Sequence, residues 1–185
     1  MALTKTPVCD FGKKAEDFKL KSIYNKVVTL NDIKGEKATL IMFICNHCPY
    51  VKAIIKDLAK DCNELRNDGI SSVAIMSNDT KNYPEDSFDN MMKFAESNNF
   101  RNINYLFDET QEIAKKYGAV CTPDFFGYNK NLSLQYRGRF RELKDLKPIN
   151  NGDSDLKIAM KMVAQTQKGP DEQIPSMGCN IKWFN

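Results

Sequence analysis

Cys45-Asn46-His47-Cys48 sets two thiols three positions apart, with the chain's only histidine between them. A thiol reacts as its thiolate, so what matters is how its surroundings treat a negative sulfur. A dithiol at this spacing attacks disulfides, or accepts electrons by becoming a disulfide itself. Two cysteines three apart also make half of a zinc site. A closed zinc site needs two more ligands, and the chain offers no second close cysteine pair and no distant histidine. A pair of inert core thiols is the remaining alternative.

The elements around the pair decide between these. Leu40 to Ile44 is an unbroken apolar run of strand length. After Pro49, apolar residues recur at Val51, Ile54, Ile55, Leu58, Ala59, Cys62 and Leu65, the spacing of an amphipathic helix. The thiols therefore sit where a strand ends and a helix begins. A helix's first turn has free N–H groups and the positive end of the dipole, and both favour a thiolate. Pro49 has no N–H to lose there. The expected arrangement puts Cys45 at or just before the helix start and Cys48 in its first turn. Cys45 is then the thiol held below the ordinary value of about 8.5, with His47 adding to the effect. A C-x-x-C beside a βαβ pattern points to redox work.

The 185 residues, 42% hydrophobic and 28% charged, suit a single domain with a full core. A net charge of +3 is too small to make nucleic acid the expected partner. No apolar run is long enough to span a membrane, and MALTKTPVCD has no signal-like apolar region. Cys9, Cys45, Cys48, Cys62, Cys121 and Cys179 are expected to be mostly free thiols in a reducing, cytoplasmic compartment.

In chain order, residues 1–16 form a lead-in segment. Residues 17–20 and 27–30 are predicted strands of an N-terminal hairpin turning at Tyr24-Asn25. The central strand spans 38–44, and its helix runs to about Asn67, with Gly69 as the stop. Lys52, Lys56 and Lys60 form that helix's solvated face. Residues 72–76 give the next buried strand, which completes a parallel βαβ unit. The polar loop 77–86 follows at the carboxyl end of that strand, the edge where open α/β sheets place their sites. Ser87 caps a helix with Phe88, Met91, Met92 and Ala95 inward. Residues 105–107 are a strand, and Asp108 with Gln111 has the form of a capping box for a helix with Ile113, Ala114 and Tyr117 inward, ended by Gly118. Cys121-Thr122-Pro123 precedes a strand whose antiparallel partner is 132–136. Residues 137–141, Arg-Gly-Arg-Phe-Arg, are expected to be a solvated basic loop. Asp153 or Ser154 caps a last helix carrying Leu156, Ala159, Met160 and Val163, stopped by Gly169-Pro170. Residues 168–185 form a C-terminal tail.

This order resembles the thioredoxin fold in its extended form: an α/β fold with a central mixed sheet flanked by helices and an N-terminal hairpin extension, one domain over 1–185. The motifs Asp17-Phe18-x-Leu20, Cys45-Asn46-His47-Cys48-Pro49 and Val120-Cys121-Thr122-Pro123 resemble the redoxin branch. That branch comprises alkyl hydroperoxide reductase/thiol-specific antioxidant proteins and thioredoxin-like thiol–disulfide oxidoreductases. The resemblance implies that Pro123 is cis and faces the C-x-x-C. It also implies that the Thr122 backbone pairs with an extended substrate beside Cys45. In the thioredoxin pattern, Cys45 is the exposed nucleophile and Cys48 the buried resolving thiol. A histidine before the second cysteine is similar to protein disulfide isomerases. Position 39 is Thr where thioredoxins carry a buried Asp. In the peroxiredoxin pattern P-x-x-x-T-x-x-C, Cys48 is peroxidatic, Cys45 replaces the Thr and Ile41 the Pro.

The leading expectation is a thiol–disulfide oxidoreductase using Cys45 and Cys48, supported by His47, Thr122 and Pro123. The alternatives are a peroxiredoxin-like antioxidant peroxidase led by Cys48, and a copper-binding metallochaperone, since soft thiolates suit Cu(I). No separate cofactor or metal is expected, because the Cys45–Cys48 disulfide is itself the redox group. Substrates would be a disulfide-bearing protein, a small thiol or a peroxide, with an external redox partner. Cys121, two residues before Pro123 and so near the C-x-x-C in this fold, is read first as a small filler and otherwise as an additional redox thiol. Cys179 becomes an additional redox thiol if the tail folds back; the other expectation is a tail docked by Trp183 and Phe184. Cys62 belongs to the core.

Overall fold

All six residues of Ala38–Phe43 are buried, which puts this strand at the centre of a sheet covered on both faces. The computed structural model describes residues 3–184. In chain order it contains β1 (Leu3–Lys5), β2 (Lys19–Ser22), β3 (Val27–Thr29), α1 (Leu30–Ile33), β4 (Ala38–Phe43), α2 (Pro49–Leu65), β5 (Ile70–Met76), α3 (Phe88–Ser97), β6 (Ile103–Phe107), α4 (Glu112–Tyr117), β7 (Cys121–Thr122), β8 (Asp124–Asn129), β9 (Leu134–Tyr136), β10 (Leu143–Lys144), β11 (Lys147–Pro148), α5 (Asp155–Thr166) and β12 (Met177–Asn180).

The main sheet has the order β3-β2-β6-β5-β4-β8-β9. β4 pairs parallel with β5, and β5 with β6, while β2, β3, β8 and β9 join antiparallel. Side chains alternate across a strand. Leu40 and Met42 therefore join one core with α2, α3 and α5, while Ile41 and Phe43 join the other with α1 and α4. The whole predicted stripe of α2, from Val51 to Leu65, is buried, and Lys52, Lys56 and Lys60 are exposed. Each such leucine, isoleucine or valine contributes about 1.5–3 kcal/mol through burial. Gly118 ends α4 with φ of 68°, whereas α2 stops at Leu65 and Gly69, with φ of 78°, closes the 3-10 turn Arg66–Asp68 that follows it.

Several expectations are corrected. Asp108 and Gln111 form no capping box: α4 starts one turn later, Asp108 accepts from the N–H groups of Ile113 and Ala114, and Gln111 is buried. α5 ends at Thr166, with Gln167 at φ 65°, before Gly169-Pro170 is reached. Arg137 is not solvated. It is 8% exposed, bonds Asp124 through two nitrogens at 3.0 and 3.3 Å, and lies over the Phe126 ring. The lead-in segment and the tail meet in a second sheet of order β1-β12-β7. Backbone pairing and buried Ile181 dock the tail, whereas Trp183 and Phe184 remain 38% and 44% exposed.

Candidate active site

β4 hands over to a short connection, Ile44 to Cys48, whose backbone is tied down from outside the motif. Ile44 N donates to Ile75 O, which extends the pairing with β5. Asn46 N and His47 N both donate to Asp86 Oδ1, at 2.7 and 3.3 Å. Asp86 is fully buried in a 3-10 turn at the end of the polar loop after β5. Its other oxygen meets His47 Nδ1 at 2.7 Å and accepts from Asn78 Nδ2 at 2.8 Å. The His47 ring stacks on Tyr83. The hydrogen bond that His47 makes to Asp86 holds the imidazole above its ordinary value, since a carboxylate at that distance favours imidazolium.

Sequence reasoning missed Asp86. It sought a buried carboxylate beneath the pair, at position 39, where Thr39 instead accepts from Gly35 N. The available signal was the polar loop at a strand's carboxyl end.

Proline at the first helical position makes Cys48, not Cys45, the N-cap of α2. The cysteines are 1% and 0% exposed, so neither is the open nucleophile expected of Cys45. The electrostatics are also reversed. Cys48 is brought down to about 5, first by the hydrogen bond from Cys45 and then by contacts from Cys179 and the Val51 N–H. Cys48 makes no side-chain capping hydrogen bond, but it stands at the positive end of the α2 dipole and the Val51 N–H contributes to holding it down. Cys45 is pushed well up, because it gives its hydrogen to Cys48, is buried and feels the Asp86 charge. The helix starts three residues later than expected, with Cys48 rather than Cys45 at its cap, and its positive end falls on the second thiol.

The Thr122–Pro123 bond is cis, as the resemblance implied. Thr122 Oγ1 lies 3.2 Å from Cys45 Sγ, and Cys48 Sγ lies 3.2 Å from the Thr122 carbonyl oxygen. The fold thus brings Cys45, Cys48, His47, Thr122 and Pro123 together. Cys179 Sγ is 2.9 Å from Cys48 Sγ. Cys121 is buried and its thiol turns to the Pro123 carbonyl, with burial pushing it up. Cys62 is deep in the core, pushed up to about 12 by the same cause. Donor atoms of Cys45, His47 and Asp86 lie within 4.8 Å of one another. In that group, His47 Nδ1 and the Asp86 carboxylate are engaged with each other. Among the described residues, no helix is long and apolar enough to cross a membrane.

A mixed sheet with a C-x-x-C at the head of a buried helix and a cis proline opposite defines a thioredoxin-like redoxin. The chain belongs to the AhpC/TSA family, whose profile matches residues 11–140. Membership supports a thiol-based redox function. The chain is similar over all its length to an uncharacterized conserved protein of Geobacillus kaustophilus, at 40% identity, 97% coverage of that chain and a TM-score of 0.94. It is likewise similar to a hypothetical protein of Sinorhizobium meliloti 1021, at 36% identity, with 98% of each chain covered and a TM-score of 0.90. The fold alone is shared with a secreted Mycobacterium tuberculosis disulfide oxidoreductase, at 18% identity over 64% of this chain and 80% of that one, TM-score 0.54. A search of curated proteins gives no match.

Proposed function

We propose that the protein is a thiol–disulfide oxidoreductase in which Cys48 attacks and Cys45 resolves, the reverse of the order expected from the sequence. The observation that carries this is Cys48 at the N-cap, brought down to about 5, with the Cys45 thiol donating to it. The Cys48 thiolate attacks one sulfur of a substrate disulfide and expels the other as a thiolate. Cys45 then attacks the Cys48 sulfur, the mixed disulfide breaks, and the Cys45 proton ends on the second departing thiol. The chain is left with a Cys45–Cys48 disulfide and the substrate as two thiols. An external dithiol reverses the change. The Thr122 hydroxyl supports Cys45 during the exchange, and Asp86 with His47 positions the connecting loop.

Glutathione disulfide with dithiothreitol as reductant tests this. Cys48→Ser is expected to lose turnover and to form no mixed disulfide, while Cys45→Ser still forms the first adduct on Cys48. Turnover that survives in Cys48→Ser, or a first adduct on Cys45, overturns the assignment.

Burial of both cysteines supports a second reading, in which the oxidant is as small as hydrogen peroxide. Cys48 would attack one peroxide oxygen, the O–O bond would break to give a sulfenic acid and water, and Cys45 would condense with it to release a second water. Stopped-flow oxidation no faster than that of free cysteine removes this reading. A copper-carrier role has weaker support, since His47 is engaged by Asp86 and Cys48 is in contact with Cys179.

A further inference from the structure

β12 occupies the edge where an incoming extended segment would have to pair with the backbone before Pro123. Its register sets Cys179 opposite Thr122 and Asn180 opposite Cys121. The approach is closer than any side chain at 178 would allow. A Cβ on Gly178 would lie 2.1 Å from the Thr122 carbonyl oxygen and 2.6 Å from its carbon. Upstream, Ser176 Oγ donates to Pro123 O at 2.8 Å, and β1 pairs along the other edge with Leu3 opposite Cys179. Downstream, Lys182 N donates to Asn78 Oδ1 at 2.9 Å, Gln111 Nε2 donates to Lys182 O at 2.8 Å, and Phe184 N donates to Gln111 Oε1 at 2.8 Å. The strand is therefore fixed on both sides of one residue. That residue is Cys179, whose sulfur is 2.9 Å from that of Cys48. Cys48 thus stands between two thiols, Cys45 from its own loop and Cys179 from the tail. Packing alone would not require a second sulfur there, since a serine or alanine fills a similar volume.

We propose that Cys179 is a third redox thiol, taking the disulfide over from Cys45 and Cys48 so that the oxidised chain rests with a Cys48–Cys179 bond. This rests on the reading that Cys45 and Cys48 exchange disulfides. In the transfer, the Cys179 sulfur attacks the Cys48 sulfur. The Cys48–Cys179 bond forms as the Cys45–Cys48 bond breaks, and the proton lost by Cys179 ends on Cys45. No electrons enter or leave, so no further oxidant is needed. The Thr122 hydroxyl, 3.2 Å from Cys45, is placed to donate to the departing sulfur. The oxidising equivalent moves from Cys45, 1% exposed, to the tail, where Cys179 is 5% exposed. In that state β12 is covalently held over the Thr122 edge.

Trypsin makes the two disulfides distinguishable, because Cys45 and Cys48 share the peptide 38–52 whereas Cys179 lies alone in 169–182. The full chain is equilibrated with glutathione disulfide, quenched with acid, alkylated and mapped by mass spectrometry. The expected product is 38–52 joined to 169–182. Cys179→Ser is expected to lose that cross-link and to accumulate a disulfide within 38–52. Wild-type chain oxidised only within 38–52 overturns the relay and leaves the Cys45–Cys48 reading standing. A Cys179→Ser chain that forms no disulfide within 38–52 overturns both, as does a wild-type chain carrying only glutathione adducts.

Discussion

Cys48 and Cys45 carry the same thiol and differ by position within one turn. Cys48 has the helix start and a donated hydrogen; Cys45 has burial and a nearby carboxylate. The thiolate absorbance of the reduced chain should therefore persist as pH falls and disappear through about 5. Cys48→Ser should abolish that transition. Cys45→Ala, which removes the donor, should move the midpoint up toward the ordinary thiol range, whereas Cys45→Ser should hold it low. The Cys48 value is depressed on folding, so its stabilisation is present above the ordinary thiol range and is lost as pH falls through about 5. His47 has the opposite sign. Its value is raised by Asp86, so its stabilisation is complete below about 6.5 and fades as pH rises through the folded value. Asp86→Asn should cost about 1–3 kcal/mol, more at acid than at alkaline pH. The His47 titration followed by NMR should shift downward in the same variant.

At the scale of elements, the site is a junction of five pieces: the end of β4, the head of α2, the loop after β5, β7 with its cis proline, and the strand β12. Gly178 is where β12 is most exposed to disruption. Gly178→Ala must push the strand off the Thr122 carbonyl. The expected result is faster alkylation of Cys48 by iodoacetamide, on the order of tenfold or more, as the strand opens locally. An unchanged alkylation rate would mean that β12 does not control access. The junction was only half legible beforehand. The apolar stripe of α2 and the run of β4 are local periodicities, and both emerge as read. The cap position was not, because C-x-x-C-P admits a helix start at either cysteine, and the Asp86 carboxylate that pulls Asn46 and His47 out of the helix is 40 residues from Asn46.

Across the whole molecule, the Arg137–Asp124 pair joins β8 to the segment after β9, and Arg137 also donates to the Gly118 carbonyl at 2.8 Å. Burial pushes the fully enclosed Asp124 up, against the pull of Arg137. Arg137→Met leaves that carboxylate without its partner, and urea unfolding should show a loss of about 3–5 kcal/mol. From composition, Arg137 belonged to a basic loop, since nothing local marks a guanidinium for burial. The meeting of the thiol pair with Thr122-Pro123 was implied by the resemblance to the redoxin branch, while residue order alone determined the parallel βαβ frame and the buried helix. These follow from hydrophobic periods and turn residues that act over one or two turns of chain. Only the tertiary structure decided which thiol sits at the helix start, which carboxylate holds the loop and what covers the pairing edge. Those depend on contacts such as Cys48 with Cys179, 131 residues apart, whose distance and dielectric surroundings exist only once the chain has closed on itself.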